Sequence, residues 1–373
     1  MTKAAELAKM GEVLTNSQIG GRRNIIINGA MQVAQRSTSV TGLGADGSTY
    51  DTLDRFKNVV GSTAGRFTQT QTADGPSGFS NCLKIDVTTA DTSIAAGEYF
   101  ILGQYLEGQD VQQLKKGTSD AEKVTVSFYV KGNASATYTL ELEDSDNSRY
   151  NSQEFSVTTG WTRVTKTFVA DTTGAFDDDN AASLRLNIWL HAGSNFTGGT
   201  HTDNVWHTTG NQRVGDNQTS IFDSTDRTFF ITGVQLEVGS QATPFEHRSF
   251  GEELRLCQRY YYREEASSVS SSTSYKRYGV GQYYSATGAE AFVYLPVTMR
   301  AVPTLETTGT SSNYAFYAGS NVRSISADFS LNGSTDKNFL IVNGTTSSQT
   351  TGHAAAFLSN NNTTSFIAAN AEL

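Results

Sequence analysis

The sequence predicts an all-β protein: a jelly-roll β-sandwich, a short connecting helix, a second smaller β-domain and a short N-terminal helix. Three observations carry that reading. Aromatic residues are plentiful (20 Phe, 16 Tyr, 3 Trp) beside 34 Gly, only 4 Pro and runs of Ser, Thr and Asn, the usage of short strands and tight turns. Period-2 stretches bounded by Gly, Asn or Asp recur along most of the chain. Helical periodicity is confined to two short stretches, and no repeat of 20 to 50 residues suggests a solenoid or propeller.

Residues 2–14 place Ala4, Leu7, Ala8 and Leu14 on one side at helical spacing, a short amphipathic helix interrupted by Gly11, within an anchor segment over 1–23. The sandwich is assigned to 24–247. It opens on NIIINGAMQVAQRST, a β-branched run and then alternation, and continues through a long Gly/Ser/Thr loop to TLDRF. Eight or so strands follow, among them KVTVSFYVKGN, TYTLELEDSDN, EFSVTTGWTRVTKTFVAD, SLRLNIWLHAG and FFITGVQLEVG; this many short strands argues for two stacked sheets. Pro244 stops the last of them. A connecting helix is assigned to 248–265, where Ser249 and Glu252 form an S-x-x-E capping box. Phe250, Leu254, Cys257 and Tyr261 share one helical face and Leu256 and Tyr260 form a second stripe, so Phe250, Leu254, Cys257, Tyr260 and Tyr261 are expected at a domain or oligomer interface. Residues 266–373 read as the C-terminal β-domain.

The formal net charge of −9 over 373 residues excludes a partner that demands clustered Lys and Arg, so no nucleic acid is expected. No apolar run reaches the roughly 18 residues of a membrane-spanning helix, and the N-terminus lacks a secretory h-region. Cys82 and Cys257 are the only cysteines, too few for a disulfide framework.

Motifs for catalysis are missing: there is no G-x-S-x-G elbow, no phosphate-cradling GxxxxGK[ST] and no cysteine beside a base. His191, His201 and His207 match no standard zinc spacing, and no metal or other cofactor is expected. Asp144-Ser145-Asp146-Asn147-Ser148 starts like a calcium loop, but Arg149 stands where an EF-hand needs Gly and Phe155 where it needs Glu, so an Asp/Asn-rich hairpin turn is expected. Asp177-Asp178-Asp179 reads as a solvated turn rather than a glycosidase pair. Between Leu190 and Phe222 lie about thirty residues with little periodicity, and loops of that length are usually functional or disordered. Aromatic side chains in polar β surroundings remain: Trp161, Trp189, Trp206, Phe196 and Tyr105 are candidates for stacking on a sugar ring, whose hydroxyls Asn, Gln and Asp can bond. Core packing is expected of Trp161 and Trp189, which sit in alternating strands. Trp206, Phe196, His201 and His207, in the long loop, are the candidate glycan contacts.

NIIINGAMQVAQRST followed by Asp54-Arg55-Phe56 closely resembles the start of a module in tail-fibre and other structural proteins of tailed phages. Its close resembles GVQLEVGSQATPFEHRSFGEELRLCQRYYYR, through Gly233, Gln235, Leu236, Glu237, Gly239, Pro244, Phe245, Glu246 and the Cys257-Gln258-Arg259-Tyr260-Tyr261 run. LPVTMRAVPTL, with Pro296, Met299-Arg300 and Pro303, resembles the segment that follows. VTVSFYVKGN and GWTRVTKTFVA also resemble strands of carbohydrate-binding jelly-roll modules. The resemblance spans roughly residues 1–305 and implies a non-enzymatic virion protein, a trimer docked on other virion proteins through its N-terminal segment and presenting its β-domains to host-surface polysaccharide. The alternatives are a capsid or tail decoration protein and a polysaccharide depolymerase.

Overall fold

The computed structural model describes residues 3–4, 23–266, 275–325, 330–345 and 348–373. Apart from Lys3, Ala4 and Arg23, the anchor segment over 1–23 and its helix lie outside the described residues. The chain divides into two compact units, residues 1–253 with Leu373, and residues 254–372.

Unit 1 is a jelly-roll sandwich of two six-stranded antiparallel sheets. The first runs in the order β1 (Ser39–Leu43), β4 (Arg66–Thr72), β5 (Cys82–Thr89), β12 (Thr228–Val238), β7 (Val124–Gly132), β10 (Thr162–Phe168). The second runs β2 (Gly47–Thr49), β3 (Lys57–Gly61), β6 (Tyr99–Glu107), β11 (Ala182–Ala192), β8 (Ala136–Asp144), β9 (Arg149–Val157). Alternation fixes which residues meet between the sheets. Val126, Phe128 and Val130 of β7, Tyr138, Leu140 and Leu142 of β8, and Leu184, Leu186 and Ile188 of β11 all enter one core. Phe67, Phe100 and Phe222 stack within it, with ring centroids 4.6 and 5.9 Å apart.

Three expectations change. The loop before TLDRF contains β1 and β2, short edge strands, SVTGL and GST, which are largely exposed apart from the half-buried Val40 and Leu43 and carry no hydrophobic alternation. EFSVTTGWTRVTKTFVAD is two strands, β9 and β10, which belong to different sheets. The Ile25–Ile27 run is not a strand, although Ile26 is fully buried; one backbone bond, Ile25 N to the Leu236 carbonyl (2.9 Å), and a set of side chains hold the segment instead.

Those side chains belong to the residues that carry the phage-module resemblance. Asn24 Nδ2 donates to the Val234 carbonyl (3.1 Å), its Oδ1 accepts from Leu236 N (3.1 Å), and its backbone N–H donates to Glu246 Oε2 (2.7 Å). Arg248 Nη1 donates to the Ile26 carbonyl (3.0 Å), and Gln235 Oε1 accepts from Glu246 N (2.8 Å). The opening and closing motifs are therefore two halves of one clasp. Gly29 lies at its tightest point: a Cβ there would stand 2.1 Å from the Val234 carbonyl oxygen, while Val234 N donates to Gly29 O at 2.9 Å. Gly29→Ala is expected to lower stability by about 2 kcal/mol through overpacking, measurable as a lower urea midpoint at unchanged slope.

Unit 2 holds a three-stranded sheet, β13 (Tyr261–Glu265), β22 (Phe366–Asn370), β16 (Thr304–Thr307). Beside it in sequence is a seven-stranded one: β18 (Asn321–Ser324), β17 (Tyr314–Ala318), β21 (Ala354–Ser359), β14 (Arg277–Tyr283), β15 (Gly288–Tyr294), β20 (Asn338–Gly344), β19 (Ser330–Leu331). Tyr283, Tyr314, Phe316, Ile341 and Phe357 centre its core.

Two α-helices occur among the described residues, α1 (Ser194–Thr197) and α2 (Phe250–Gln258). Ser249 caps α2, its Oγ accepting from Glu252 N at 3.3 Å. The connecting helix expected over 248–265 is thus shorter. Tyr261–Glu265 pairs with Phe366–Asn370 as a strand, and that distant partner decides the conformation of an aromatic segment which local periodicity reads as helix. No helix among the described residues is long and apolar enough to cross a membrane.

Candidate functional site

The outer face of the second sheet concentrates the polar and aromatic chemistry of unit 1. Residues of β6, β8 and β11 that alternate with the core set point there: Tyr99, Ile101 and Tyr105; Glu141 and Glu143; Arg185, Asn187 and Trp189. The long loop after β11 covers part of this face. Helix α1 lays Phe196 against Trp189 and Tyr99, with centroids 5.0 and 5.4 Å apart, and Val214 packs beside them. From the same loop, Arg213 binds Glu141 with two N–H groups at 2.8 Å each and reaches Glu143 at 2.9 Å. Its guanidinium also stacks over Tyr150, 4.1 Å from the ring centroid. Trp189 Nε1 and Asn187 Nδ2 each donate to Glu141 Oε2 at 3.0 Å. Burial would lower the proton affinity of Arg213, but Glu141 and Glu143 outweigh it and hold the guanidinium firmly charged. Burial is the main cause that pushes the Tyr105 hydroxyl above its ordinary range, and that ring carries Lys57 and Arg185 on its faces, at 4.5 and 4.7 Å.

At the β2–β3 end of this sheet lies an open pocket of about 410 Å³ lined by Asp46, Gly47, Ser48, Val59, Val60, Gly61, Ser62 and Tyr99. The absence of a side chain at Gly61 lets the Tyr99 ring lie flat; a Cβ there would come within 2.3 Å of it. Tyr99 supplies an aromatic part of the lining, and Asp46, Ser48 and Ser62 add a carboxylate and two hydroxyls.

The four loop residues expected at a glycan each have partners within unit 1. Phe196 lies on the covered face, as above. His201 bonds within the loop, to the Gln212 carbonyl (3.1 Å) and to Asp203 (2.9 Å). His207 bridges to β9 at Tyr150, with its imidazole kept below its ordinary range chiefly by burial. Trp206 turns the other way: half-buried, it packs on the sandwich core, donates from Nε1 to the Val169 carbonyl (2.8 Å) and lies under the Lys116 ammonium (5.5 Å). Of the strand tryptophans, Trp189 is buried in a core cluster as expected and Trp161 is not. Trp161 is half-buried on the outer face of the first sheet, against Phe230 and Lys131, and Trp189, although buried, faces away from the inter-sheet core.

In the α2 segment, Phe250 is 57% exposed and Leu254 half-buried, whereas Cys257, Tyr260 and Tyr261 are buried within a single copy of the chain. Within the single chain those three are therefore covered, and only Phe250 and Leu254 of the five present surface. Tyr261 also lies on β13, not on the helix.

Two buried charged clusters complete the picture. The Asp144 turn, which resembles the start of a calcium loop, holds an ammonium: Lys116 Nζ meets Asp144 (2.5 Å), Asp171 (3.1 Å) and the carbonyls of Thr173 (2.8 Å) and Gly174 (2.7 Å). Elsewhere in unit 1, Asp91, Glu98 and His191 bring their ligand atoms within 4.8 Å of one another. Burial pushes the Asp91 carboxyl up, but hydrogen bonds from Thr63, Ala64 and Ser93 outweigh it and hold it below the usual range. Burial holds the His191 imidazole below its ordinary range, against the pull of Glu98.

Tyr99, Asp46, Arg213 and the Glu141–Glu143 pair were not singled out from sequence. The alternation in TYTLELED does put both glutamates on one strand face, which was a readable signal; their partner, 72 residues away in a loop without periodicity, was not.

Fold and site together define a β-sandwich with a partly covered aromatic and charged sheet face. No family model and no curated protein matches the chain. Among solved structures, it is similar to one described as "CBM4 structure and function" at 12% identity, covering 57% of this chain and 97% of that one, with a TM-score of 0.29. The family 11 carbohydrate-binding module of the cellulosomal cellulase Lic26A-Cel5E of Clostridium thermocellum gives 12% identity over 55% and 100%, with a TM-score of 0.27. TmCBM61 in complex with beta-1,4-galactotriose gives 12% over 58% and 99%, with a TM-score of 0.28.

Proposed function

We propose that this chain is a non-enzymatic virion protein of a tailed phage, part of a trimeric appendage, which binds host-surface glycan through unit 1. The observation that carries the glycan reading is the Tyr99 pocket. Its volume lies within the roughly 300–1,000 Å³ of small-ligand sites, and its lining combines an aromatic ring with a few polar groups. An aromatic face suits the C–H face of a pyranose, while Asp46, Ser48 and Ser62 suit its hydroxyls. The non-enzymatic reading is supported by how the acids of the sheet face are used: Glu141 and Glu143 are locked on Arg213 and Arg185 rather than held across an open cleft. The virion role rests on the two motifs of the clasp, and the trimer on that same resemblance.

On a glycan array built from bacterial surface polysaccharides, the purified chain is expected to select a defined set of sugars. Tyr99→Ala is expected to weaken that binding about tenfold, the equivalent of about 1.4 kcal/mol of lost stacking, while circular dichroism stays unchanged. No binding by the wild type, or equal binding by Tyr99→Ala, would defeat the pocket assignment. Release of reducing sugar from the same polysaccharides would instead favour a depolymerase.

A further inference from the structure

Asp91 follows β5, Glu98 directly precedes β6, and His191 sits near the end of β11, where the β6–β11 register is irregular. All three are buried, Asp91 and Glu98 with 6% of their surface exposed and His191 with none. Two carboxylates in such a place are costly unless an opposite charge offsets them. Among the described residues no lysine or arginine pairs with either. Asp91 is held by Thr63 Oγ1 (2.8 Å) and the backbone N–H groups of Ala64 (2.7 Å) and Ser93 (3.3 Å). Glu98 is different: its carboxylate has one contact only, Oε2 to His191 Nε2 at 3.3 Å.

That distance is informative. A charge-assisted N–H···O bond would be about 2.7–2.9 Å long. Two ligand atoms each about 2.0–2.1 Å from a tetrahedral ion stand about 3.4 Å apart, the spacing found here. The other imidazole nitrogen, Nδ1, is fixed by Ser220 Oγ at 2.7 Å, and Ser220 Oγ also accepts from Phe222 N (3.0 Å). A ligating histidine is commonly oriented in this way through its second nitrogen. The Phe222 ring, edge-on to the imidazole at 5.3 Å, closes the apolar side.

We infer that Asp91, Glu98 and His191 form a divalent transition-metal site, with zinc the best match. One imidazole and two carboxylates suit zinc, whereas calcium and magnesium call for six or more oxygen ligands, more than this cluster supplies. The ion would neutralise the two carboxylates and give Glu98 its missing partner. It would also brace the root of the covering loop, because Gly193 N donates to the Glu98 carbonyl (2.7 Å) and Asn195 N to the Ala96 carbonyl (2.9 Å). The site does not depend on the glycan reading, since none of the pocket residues takes part.

The test is zinc titration of the untagged full chain after dialysis against a chelator, followed by calorimetry and metal analysis. One zinc per chain is expected, with an upward shift of the melting midpoint that chelator reverses. Glu98→Gln and Asp91→Asn should each weaken zinc binding at least about tenfold. Cobalt in place of zinc should give the visible absorption of a low-coordinate site. Two variants are named so that a failure of one to fold leaves the other decisive. No zinc bound by folded wild type, a preference for calcium over zinc, or wild-type affinity in either folded variant would overturn the assignment.

Discussion

Lys116→Met is expected to destabilise unit 1 by about 4 kcal/mol at neutral pH, the largest loss foreseen for a single charge removal here. The ammonium is nearly inaccessible and is surrounded by Asp144, Asp171 and two carbonyl oxygens. Methionine fills the stem volume, so the cost comes from leaving two buried carboxylates without their shared cation rather than from a cavity. Arg149 still holds Asp171, with bonds of 2.7 and 3.0 Å, which limits the loss. The pH dependence follows with a definite sign. Burial pushes the Asp171 carboxyl up, but hydrogen bonds from Arg149 and Lys116 outweigh it and lower its folded-state pKa. Stability from such a group is present above the unfolded value, about 3.9, and is lost as pH falls through the lower folded value. The penalty of Lys116→Met should therefore be full at pH 7 and shrink below about pH 4, where Asp171 in the variant takes up its proton first. Urea titrations of both chains at pH 7, 5 and 3.5 measure it. A penalty under about 1 kcal/mol at pH 7, or one that grows on acidification, would show that the cluster is not an ion-pair network.

How far the sequence discloses this molecule depends on the range of the interaction that decides each feature. Strands with both a core face and a patterned outer face, such as Val124–Gly132 and Ala182–Ala192, were readable because alternation is a local property. The surroundings of the tryptophans were not, although the burial of Trp189 was. Trp189 alternates like a core residue and is buried, yet it faces outward, because a loop contributed from beyond the strand covers it. Trp206 lies among polar loop residues and still packs on the core. Burial in both cases is set by which distant segment folds over the residue, and no spacing rule records that. The same holds for the metal cluster. Glu98 and His191 are 93 residues apart and meet only because β6 and β11 are neighbours, so a search for ligand spacing along the chain finds nothing. The opening and closing motifs, by contrast, were plainly visible, but their physical role lies in the bonds between the two halves. They specify a clasp, a structural role that names no activity.

Asn28→Ala tests the folding of the clasp's opening half and is expected to cost about 4 kcal/mol. The Asn28 side chain is fully buried and makes four hydrogen bonds. Its Nδ2 donates to the carbonyls of Val33 (2.8 Å) and Asp54 (3.0 Å), and its Oδ1 accepts from Gln32 N and Val33 N (2.9 Å each). Alanine leaves two carbonyls and two N–H groups without these partners; the buried ones each cost about 1–3 kcal/mol where no water replaces the lost group. The backbone adds a smaller term. Asn28 has φ of 61°, a left-handed conformation that asparagine tolerates and alanine resists. Asn28→Gly separates the two: it removes the same hydrogen bonds and relieves the strain, so it should be less damaging than alanine by about 1 kcal/mol. The Asn28 backbone N–H also donates to Glu253 Oε1 (2.6 Å), a bond that survives in both variants if the turn keeps its shape. Glu253→Gln, which keeps an acceptor there but removes the charge facing Arg248 (3.2 Å), is then expected to cost less than either change at Asn28. Chemical denaturation of the three variants gives the ordering. If alanine and glycine were equal, strain would play no part; if both cost under about 1 kcal/mol, the buried Asn28 hydrogen bonds would not be what holds the turn of the opening motif.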